Sequence, residues 1–213
     1  MPVSQWRDFL LLHAALAAAA GLIYWQLAAP QLGIALLLLV ISYNIALPLL
    51  AKRRGYSHWL QRWLFLLPLS VFQVLPDWFL SAGLGTLVFP DLGAPRIGTV
   101  SAYMAGMWVI PLFWVLLLAR NLISAAALAV LIFAAAEWIA RPLGLWHAQQ
   151  VHLQFGVAPY VLLPEALLGA ACFWGYDYSL KRSRATALLT AAMISTLYTG
   201  GLALSWLFLE RLG

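Results

Sequence analysis

Long apolar stretches separated by short polar segments dominate the chain. Seven of them have the length of about 20 residues that an α-helix needs to cross a bilayer. They lie at 7–28, 31–51, 58–82, 97–119, 121–141, 158–180 and 185–209. The pattern predicts an all-α fold, a polytopic membrane helix bundle of about seven transmembrane helices, with residues 1–213 forming a single integral membrane domain. The first stretch follows Arg7 as in a signal peptide, but it is longer than a signal peptide's apolar core, so we expect a retained helix.

Composition leads to the same class. Of the 213 residues, 64% are hydrophobic and 9% are charged, whereas a soluble domain has about 45–50% apolar and about 25% charged residues. The chain has too little polar surface to cover a soluble fold, and this also excludes a nucleic-acid-binding module. The single cysteine, Cys172, excludes a disulfide framework and a cysteine-rich metal site.

The distribution of basic residues predicts the orientation. With the N-terminus in the cytoplasm, nine lysines and arginines fall in cytoplasmic segments and three in outer segments, the bias expected of a multi-pass protein. We therefore expect a protein of the cell (inner) membrane with a cytoplasmic N-terminus and an outer C-terminus. The cytoplasmic set is Arg7, Lys52, Arg53, Arg54, Arg62, Arg120, Lys181, Arg182 and Arg184, and the outer set is Arg96, Arg141 and Arg211.

The two long outer loops, 83–96 and 142–157, follow spans that end in similar pairs. Asp77-Trp78 precedes the first loop and Glu137-Trp138 precedes the second. The correspondence continues with Ile97-Gly98 in one loop region and Phe155-Gly156 in the other. This predicts a parallel internal repeat, spans 3–4 and spans 5–6, related by an axis along the membrane normal.

Three acidic residues lie inside the predicted spans: Asp77, Glu137 and Glu165. A charge in a span costs about 2.5–3.5 kcal/mol, so it needs a partner or a function. All three fall in the outer third of the membrane, and we expect them to share a cavity open to the outer side. They are the catalytic candidates. Ser70 and Gln73 share a helical stripe with Asp77, which predicts that this stripe faces the bundle interior.

The same region is rich in aromatic side chains that could contact an apolar substrate. The candidate substrate-binding residues are Trp78, Trp108, Trp114, Trp138, Trp146, Gln73, Tyr160 and Arg96. Simpler interpretations compete with these roles. Asp77 and Glu137 could reach only interfacial water, Glu165 could be a structural hydrogen-bonding group, and Arg96 could pair with Asp91.

The arrangement indicates acid-initiated chemistry. A carboxyl group enclosed by apolar and aromatic side chains keeps its proton near neutral pH, because desolvation disfavours the anion. It can then protonate a weak base such as the carbon–carbon double bond of an isoprenoid chain. Aromatic faces stabilise the resulting carbocation through cation–π attraction. Attack by a second double bond gives a ring, attack by water gives an alcohol, and neither reaction needs a cofactor or a metal.

The segment from Glu137-Trp138 through Gly144-Leu145-Trp146 and Phe155-Gly156 to Pro164-Glu165 resembles the repeat unit of integral-membrane lycopene cyclases. The region is also similar to carotenoid hydratases of the bisanhydrobacterioruberin hydratase type. The resemblance covers spans 3–6 and implies a cofactor-free isoprenoid cyclase or hydratase. Asp77, Glu137 and Glu165 would then occupy the acidic positions. Ala166 stands where the cyclases have a second glutamate.

Three other functions fit the same residues. The acids could relay protons or cations in a transporter or lipid-binding protein. His147 and His152 with a carboxylate could form a metal-assisted hydrolase, although their spacing is not that of a helical metal pair. The acids could also hold the bundle of a scaffold protein together. For the isoprenoid enzyme we expect a hydrophobic isoprenoid or lipid substrate, membrane lipids as the surroundings, no cofactor and no metal; the sequence does not define an oligomeric state.

Overall fold

The fold is an all-α bundle of membrane-spanning helices, described by a computed structural model over residues 2–212. Within those residues seven helices follow one another along the chain, as the apolar pattern predicts. They are α1 (Val3–Gln26), α2 (Gln31–Arg54), α3 (Ser57–Leu84), α4 (Met104–Leu118), α5 (Leu122–Ala140), α6 (Pro159–Ser179) and α7 (Arg184–Arg211).

Five of the helices in the described part, α1, α2, α3, α5 and α7, are long and apolar enough to cross a membrane. Helix α4 is shorter, and it starts at Met104 instead of the predicted position 97. The residues before it form a hairpin, in which β2 (Arg96–Ile97) pairs antiparallel with β3 (Val100–Ser101). Gly98, in the turn of this hairpin, has a φ of +63°. This left-handed conformation is incompatible with a right-handed α-helix, so the helix cannot begin at position 97.

Helix α3 is interrupted in its outer half. It consists of Ser57–Phe72, Val74–Trp78 and a wider π-helical turn at Phe79–Leu84. Pro76 has no backbone N–H, so the carbonyl of Phe72 lacks its helical donor. The Ser195 hydroxyl of α7 donates to that carbonyl at 2.8 Å. A neighbouring helix thus compensates for the interruption, as membrane helices require.

In helix α6, too, a serine of α7 bonds to the carbonyl that a proline leaves without a donor. Pro164 leaves the carbonyl of Tyr160 without a helical donor. The Ser205 hydroxyl donates to this carbonyl at 2.5 Å. Both serines belong to α7, so this one helix supports the two proline sites that directly precede Asp77 and Glu165.

The two long loops lie at the same end of the bundle, which we call the loop end. Strand β1 (Leu87–Val88) of the first loop pairs antiparallel with β4 (His147–Ala148) of the second. The register is Leu87 with Ala148 and Val88 with His147. Because Leu87 follows Asp77 at the same distance as His147 follows Glu137, this pairing is self-complementary, as a two-fold axis between equivalent strands requires.

The two loop regions share a second feature beside the acid–tryptophan pairs. Gly98 lies under Trp78, because a Cβ atom there would come within 2.9 Å of the indole ring. Gly156 lies beside Trp138, at 3.8 Å by the same measure. Each glycine is in a tight turn, closed by the Ile97–Val100 pair in one case and the Gln154–Val157 pair in the other. These matches support the predicted repeat, and we call α3 with α4 the first unit and α5 with α6 the second unit.

Helix α6 packs between α5 and α7 and forms the densest part of the bundle. Gly169 makes the close approach to α5 possible, since a Cβ atom there would lie 2.4 Å from the Ala129 methyl and 2.6 Å from the Ala125 carbonyl oxygen. Gly169 therefore serves the packing of α6 against α5.

Candidate functional site

The three carboxyl groups that the sequence singles out lie close together near the loop end. Asp77 on α3 and Glu165 on α6 are each 4% exposed, and Glu137 on α5 is half-buried. Glu137 is within electrostatic reach of both Asp77 and Glu165. We call these three residues the acid cluster.

Tyr198 of α7 adds a group that the sequence analysis missed. Its side chain is 4% exposed and lies within electrostatic reach of all three carboxyls of the acid cluster. The buried face of α7 also contains Ser195 and Leu202, at the spacing of one helical turn on either side. That spacing is the sequence signal that could have identified Tyr198.

Asp77 has a defined hydrogen-bond partner. The indole N–H of Trp108 donates to its Oδ2 atom at 3.0 Å. The Trp108 ring in turn contacts Phe133 and Tyr198, with ring centroids 5.1 and 6.0 Å apart. Trp108 was predicted to bind substrate, and in the structure it bonds to one of the acids and lies among aromatic neighbours.

Glu137 also accepts a bond from a tryptophan, but from the loop. The Trp146 indole N–H lies 3.4 Å from Oε1 of Glu137. Tyr160, at the start of α6, is buried nearby within electrostatic reach of Glu137 and Glu165, and its hydroxyl bonds to Thr86 at 2.9 Å. Trp146 and Tyr160, both predicted substrate-binding residues, therefore border the acid cluster.

Glu165 differs from the other two acids. Its Oε2 atom is enclosed and has no hydrogen-bond partner within residues 2–212. Buried polar atoms nearly always have a hydrogen-bond partner. A buried carboxyl oxygen without one lowers stability, so we expect the carboxyl group to be kept at this position for its function.

The polar stripe on α3 faces the bundle interior, as predicted. Ser70 and Gln73 are fully buried, and Asp77 continues the stripe towards the loop end. The hydroxyl of Ser70 and both amide atoms of Gln73 lack hydrogen-bond partners in the part of the chain described. Unpartnered polar atoms therefore extend below the acid cluster along one helix.

The remaining predicted substrate-binding residues lie elsewhere. Trp78 and Trp138 are 46% and 66% exposed at the loop end. Trp114 packs against Phe9 of α1, with ring centroids 4.5 Å apart. The guanidinium of Arg96 donates to the carbonyls of Phe89 and Thr99, so it stabilises its own loop and does not pair with Asp91.

The two histidines of the hydrolase alternative are held in loop structure. His147 belongs to β4, and the backbone N–H of His152 donates to Glu210 at 2.9 Å. Within residues 2–212, no group of three histidine, cysteine, aspartate or glutamate side chains is placed to hold a metal ion.

Two surface grooves in the described part of the chain lie apart from the acid cluster, and none of its three residues lines them. One, of about 360 Å³, lies at the loop end between Trp138, Leu143 and Phe155. The other, of about 390 Å³, lies between α2, α3 and the start of α4, with Asn44 and Trp63 in its wall.

Comparison with known proteins gives one match. Residues 74–209, which include the whole acid cluster, match the family model described as "Domain of unknown function (DUF6989)". The match covers more than half of the chain, so the chain belongs to this family. No curated protein and no solved structure matches it.

Proposed function

We propose that this member of the DUF6989 family is a membrane-embedded enzyme that modifies an isoprenoid lipid by acid-initiated cyclisation or hydration. The observation that carries the proposal is the buried, unpartnered Oε2 atom of Glu165, which lies within electrostatic reach of the Glu137 carboxyl. A general acid needs an oxygen that is not already engaged by the protein, and burial among apolar groups keeps such a carboxyl protonated. The resemblance to lycopene cyclases and carotenoid hydratases supports the same chemistry.

In the proposed reaction Glu165 transfers its proton to one carbon of a substrate double bond. The adjacent carbon becomes a cation, which the rings of Trp108 and Tyr198 stabilise through their π faces. For cyclisation, a second double bond attacks the cation and a proton leaves a neighbouring carbon to Glu137, so the product is an isomer. For hydration, water attacks, its proton passes to Glu137, and the product gains one water.

Asp77 has a supporting role in this scheme. Its bond from Trp108 fixes the orientation of the indole ring beside Tyr198. We therefore assign proton donation to Glu165, proton acceptance to Glu137, and positioning of the aromatic wall to Asp77.

The test is expression of the protein in a host that makes linear carotenoids or polyprenyl lipids, followed by mass spectrometry of the lipids. An unchanged mass with altered retention would indicate cyclisation, and a gain of one water would indicate hydration. Glu165→Gln should lower product formation at least about 100-fold, since it removes a general acid.

Glu210→Gln is the matched control, because Glu210 accepts a backbone bond from His152 and is not part of the acid cluster. It should retain activity. If Glu165→Gln converts substrate as well as the unmodified protein does, Glu165 is not the acid and the proposal fails.

A second candidate function is proton or cation transport. It is favoured by the unpartnered buried atoms of Ser70 and Gln73, which extend the polar region from Asp77 along α3. In this case reconstituted liposomes should show a proton flux that Glu137→Gln abolishes and Glu210→Gln leaves intact. Such a flux without any lipid product would replace the first proposal.

We further propose an inner-membrane location with the loop end on the outer side. The excess of basic residues at the other end supports this orientation. Labelling of single cysteines introduced at positions 92 and 181, in a Cys172→Ser background, tests it. Position 92 should react with an impermeant thiol reagent in intact cells, whereas position 181 should react only after lysis.

A further inference from the structure

The groove at the loop end has apolar walls and one charged residue. Trp138, Ile139, Leu143 and Phe155 form the walls, and their exposure ranges from 37% to 89%. Arg141 lies at the rim, directly after α5 ends at Ala140. A position at the end of a membrane-spanning helix puts this groove at the level of the lipid headgroups, where tryptophan and arginine are typical.

Arg141 has no internal partner to neutralise it. Among residues 2–212 its guanidinium takes part in no ion pair and no side-chain hydrogen bond. The nearest acid along the chain, Glu137, does not pair with it and instead accepts a bond from Trp146. The groove therefore presents an unpaired positive charge beside an apolar surface.

The other two arginines at the loop end are engaged by the protein. Arg96 donates to the carbonyls of Phe89 and Thr99. Arg211 stacks on Trp206, with its guanidinium carbon 4.8 Å from the ring centroid. Arg141 is thus the outer-set arginine in the described residues that is available to an anion, and it lies at the rim of a groove of about 360 Å³.

From these observations we infer that the groove binds one anionic phospholipid of the surrounding leaflet. Its phosphate pairs with the Arg141 guanidinium, which can donate two parallel hydrogen bonds, and its acyl chain lies along Trp138 and Leu143. This binding site does not involve the acid cluster, so its test is independent of the proposed enzymatic activity.

The test is native mass spectrometry of the protein in detergent micelles, titrated with phosphatidylglycerol or phosphatidylcholine. Phosphatidylglycerol should bind more tightly than phosphatidylcholine. Arg141→Gln should weaken phosphatidylglycerol binding at least about tenfold, because it removes the positive charge and the paired hydrogen bonds to the phosphate. Arg141→Lys should weaken binding less, because it keeps the charge. Arg211→Gln is the matched control and should leave binding within about twofold of the unmodified protein.

A second measurement locates the acyl chain. Phosphatidylglycerol with a brominated chain should quench part of the tryptophan fluorescence, and Trp138→Phe should remove that part. Equal losses for Arg141→Gln and Arg211→Gln would show a diffuse charge effect and overturn the site. Equal binding of both lipids, or quenching unaffected by Trp138→Phe, would also overturn it.

Discussion

The two units of the repeat solve the same structural problem in different ways. In the first, Asp77 is buried but accepts a 3.0 Å bond from Trp108. In the second, Glu165 lies within electrostatic reach of Glu137, and its Oε2 atom has no hydrogen-bond partner within residues 2–212. The first unit thus has one acid that is hydrogen-bonded to an indole, whereas the second unit has two acids, Glu137 and Glu165, within electrostatic reach of each other.

This difference in hydrogen bonding indicates which acid stabilises the fold and which acid is kept for function. A satisfied acid–indole pair contributes to stability, whereas an unpartnered buried oxygen costs about 1–3 kcal/mol. Proteins retain such a cost mainly at functional sites. Among the three acids, Glu165 has the unpartnered buried oxygen, so we expect the acid chemistry in the second unit, while Asp77 and Trp108 of the first unit supply aromatic support. The following predictions test this division, in order of decreasing effect.

The largest effect is expected from Gly169→Leu in the second unit. The new side chain would collide with Ala129 and with the Ala125 carbonyl, and the backbone of α5 cannot move away easily. We expect a loss of about 3 kcal/mol or more in the free energy of unfolding, measured by denaturant titration in micelles. Gly200→Leu is the control, because nothing lies within 4 Å of a Cβ atom there. Equal stability of the two variants would disprove the close packing of α5 and α6.

Opposite signs are expected for the acids of the two units. Asp77→Leu leaves the Trp108 N–H buried without an acceptor, so the free energy of unfolding should fall by about 1–3 kcal/mol. Glu165→Met removes an unpartnered oxygen at similar volume, so the free energy should rise by about 1 kcal/mol while activity is lost. Thermal unfolding in micelles, combined with the lipid product assay, measures both. A destabilised Glu165→Met variant would mean that Glu165 is a structural residue.

The proline sites offer a smaller and more specific effect. Ser205→Ala leaves the Tyr160 carbonyl unpaired and should cost about 1–2 kcal/mol, as should Ser195→Ala at the Phe72 carbonyl. Replacing Pro164 by alanine restores a backbone donor, so Pro164→Ala should cancel the cost of Ser205→Ala but not that of Ser195→Ala. A double-mutant cycle on unfolding free energies gives the coupling. Additive costs for Ser205→Ala and Pro164→Ala would contradict the compensation.

The sequence predicted the helices and the position of the acids because both follow from local rules. Apolar length sets the spans, and the cost of a charge in lipid singles out Asp77, Glu137 and Glu165. The start of α4 was misplaced because Ile97 and Val100 are as apolar as helical residues, and only the hairpin turn at Gly98 reveals the difference.

Contacts between segments that are far apart in the chain could not be predicted from the sequence. The spacing of Ser195, Tyr198 and Leu202 puts Tyr198 on the buried face of α7, but nothing in the sequence indicates that three carboxyls lie near it. Likewise, nothing near Ser195 and Ser205 indicates that they bond to carbonyls on other helices. Such contacts depend on which helices pack together. Residues on the same helix can also have different surroundings. Trp114 shares α4 with Trp108, but it packs against Phe9 on α1.

The smallest effect concerns the glycines beside the two exposed tryptophans. Gly98→Ala and Gly156→Ala each put a side chain at positive φ, which should cost about 1 kcal/mol. Gly98→Ala should cost more, because its methyl group would lie 2.9 Å from the Trp78 ring, whereas the methyl group of Gly156→Ala would lie 3.8 Å from the Trp138 ring. Adding Trp78→Ala should therefore reduce the cost of Gly98→Ala, and Trp138→Ala should not change that of Gly156→Ala. Unfolding free energies of the four single variants and the two double variants measure this. Equal coupling in both pairs would show that the two turns are packed alike, and the difference between the units would then be confined to the acids.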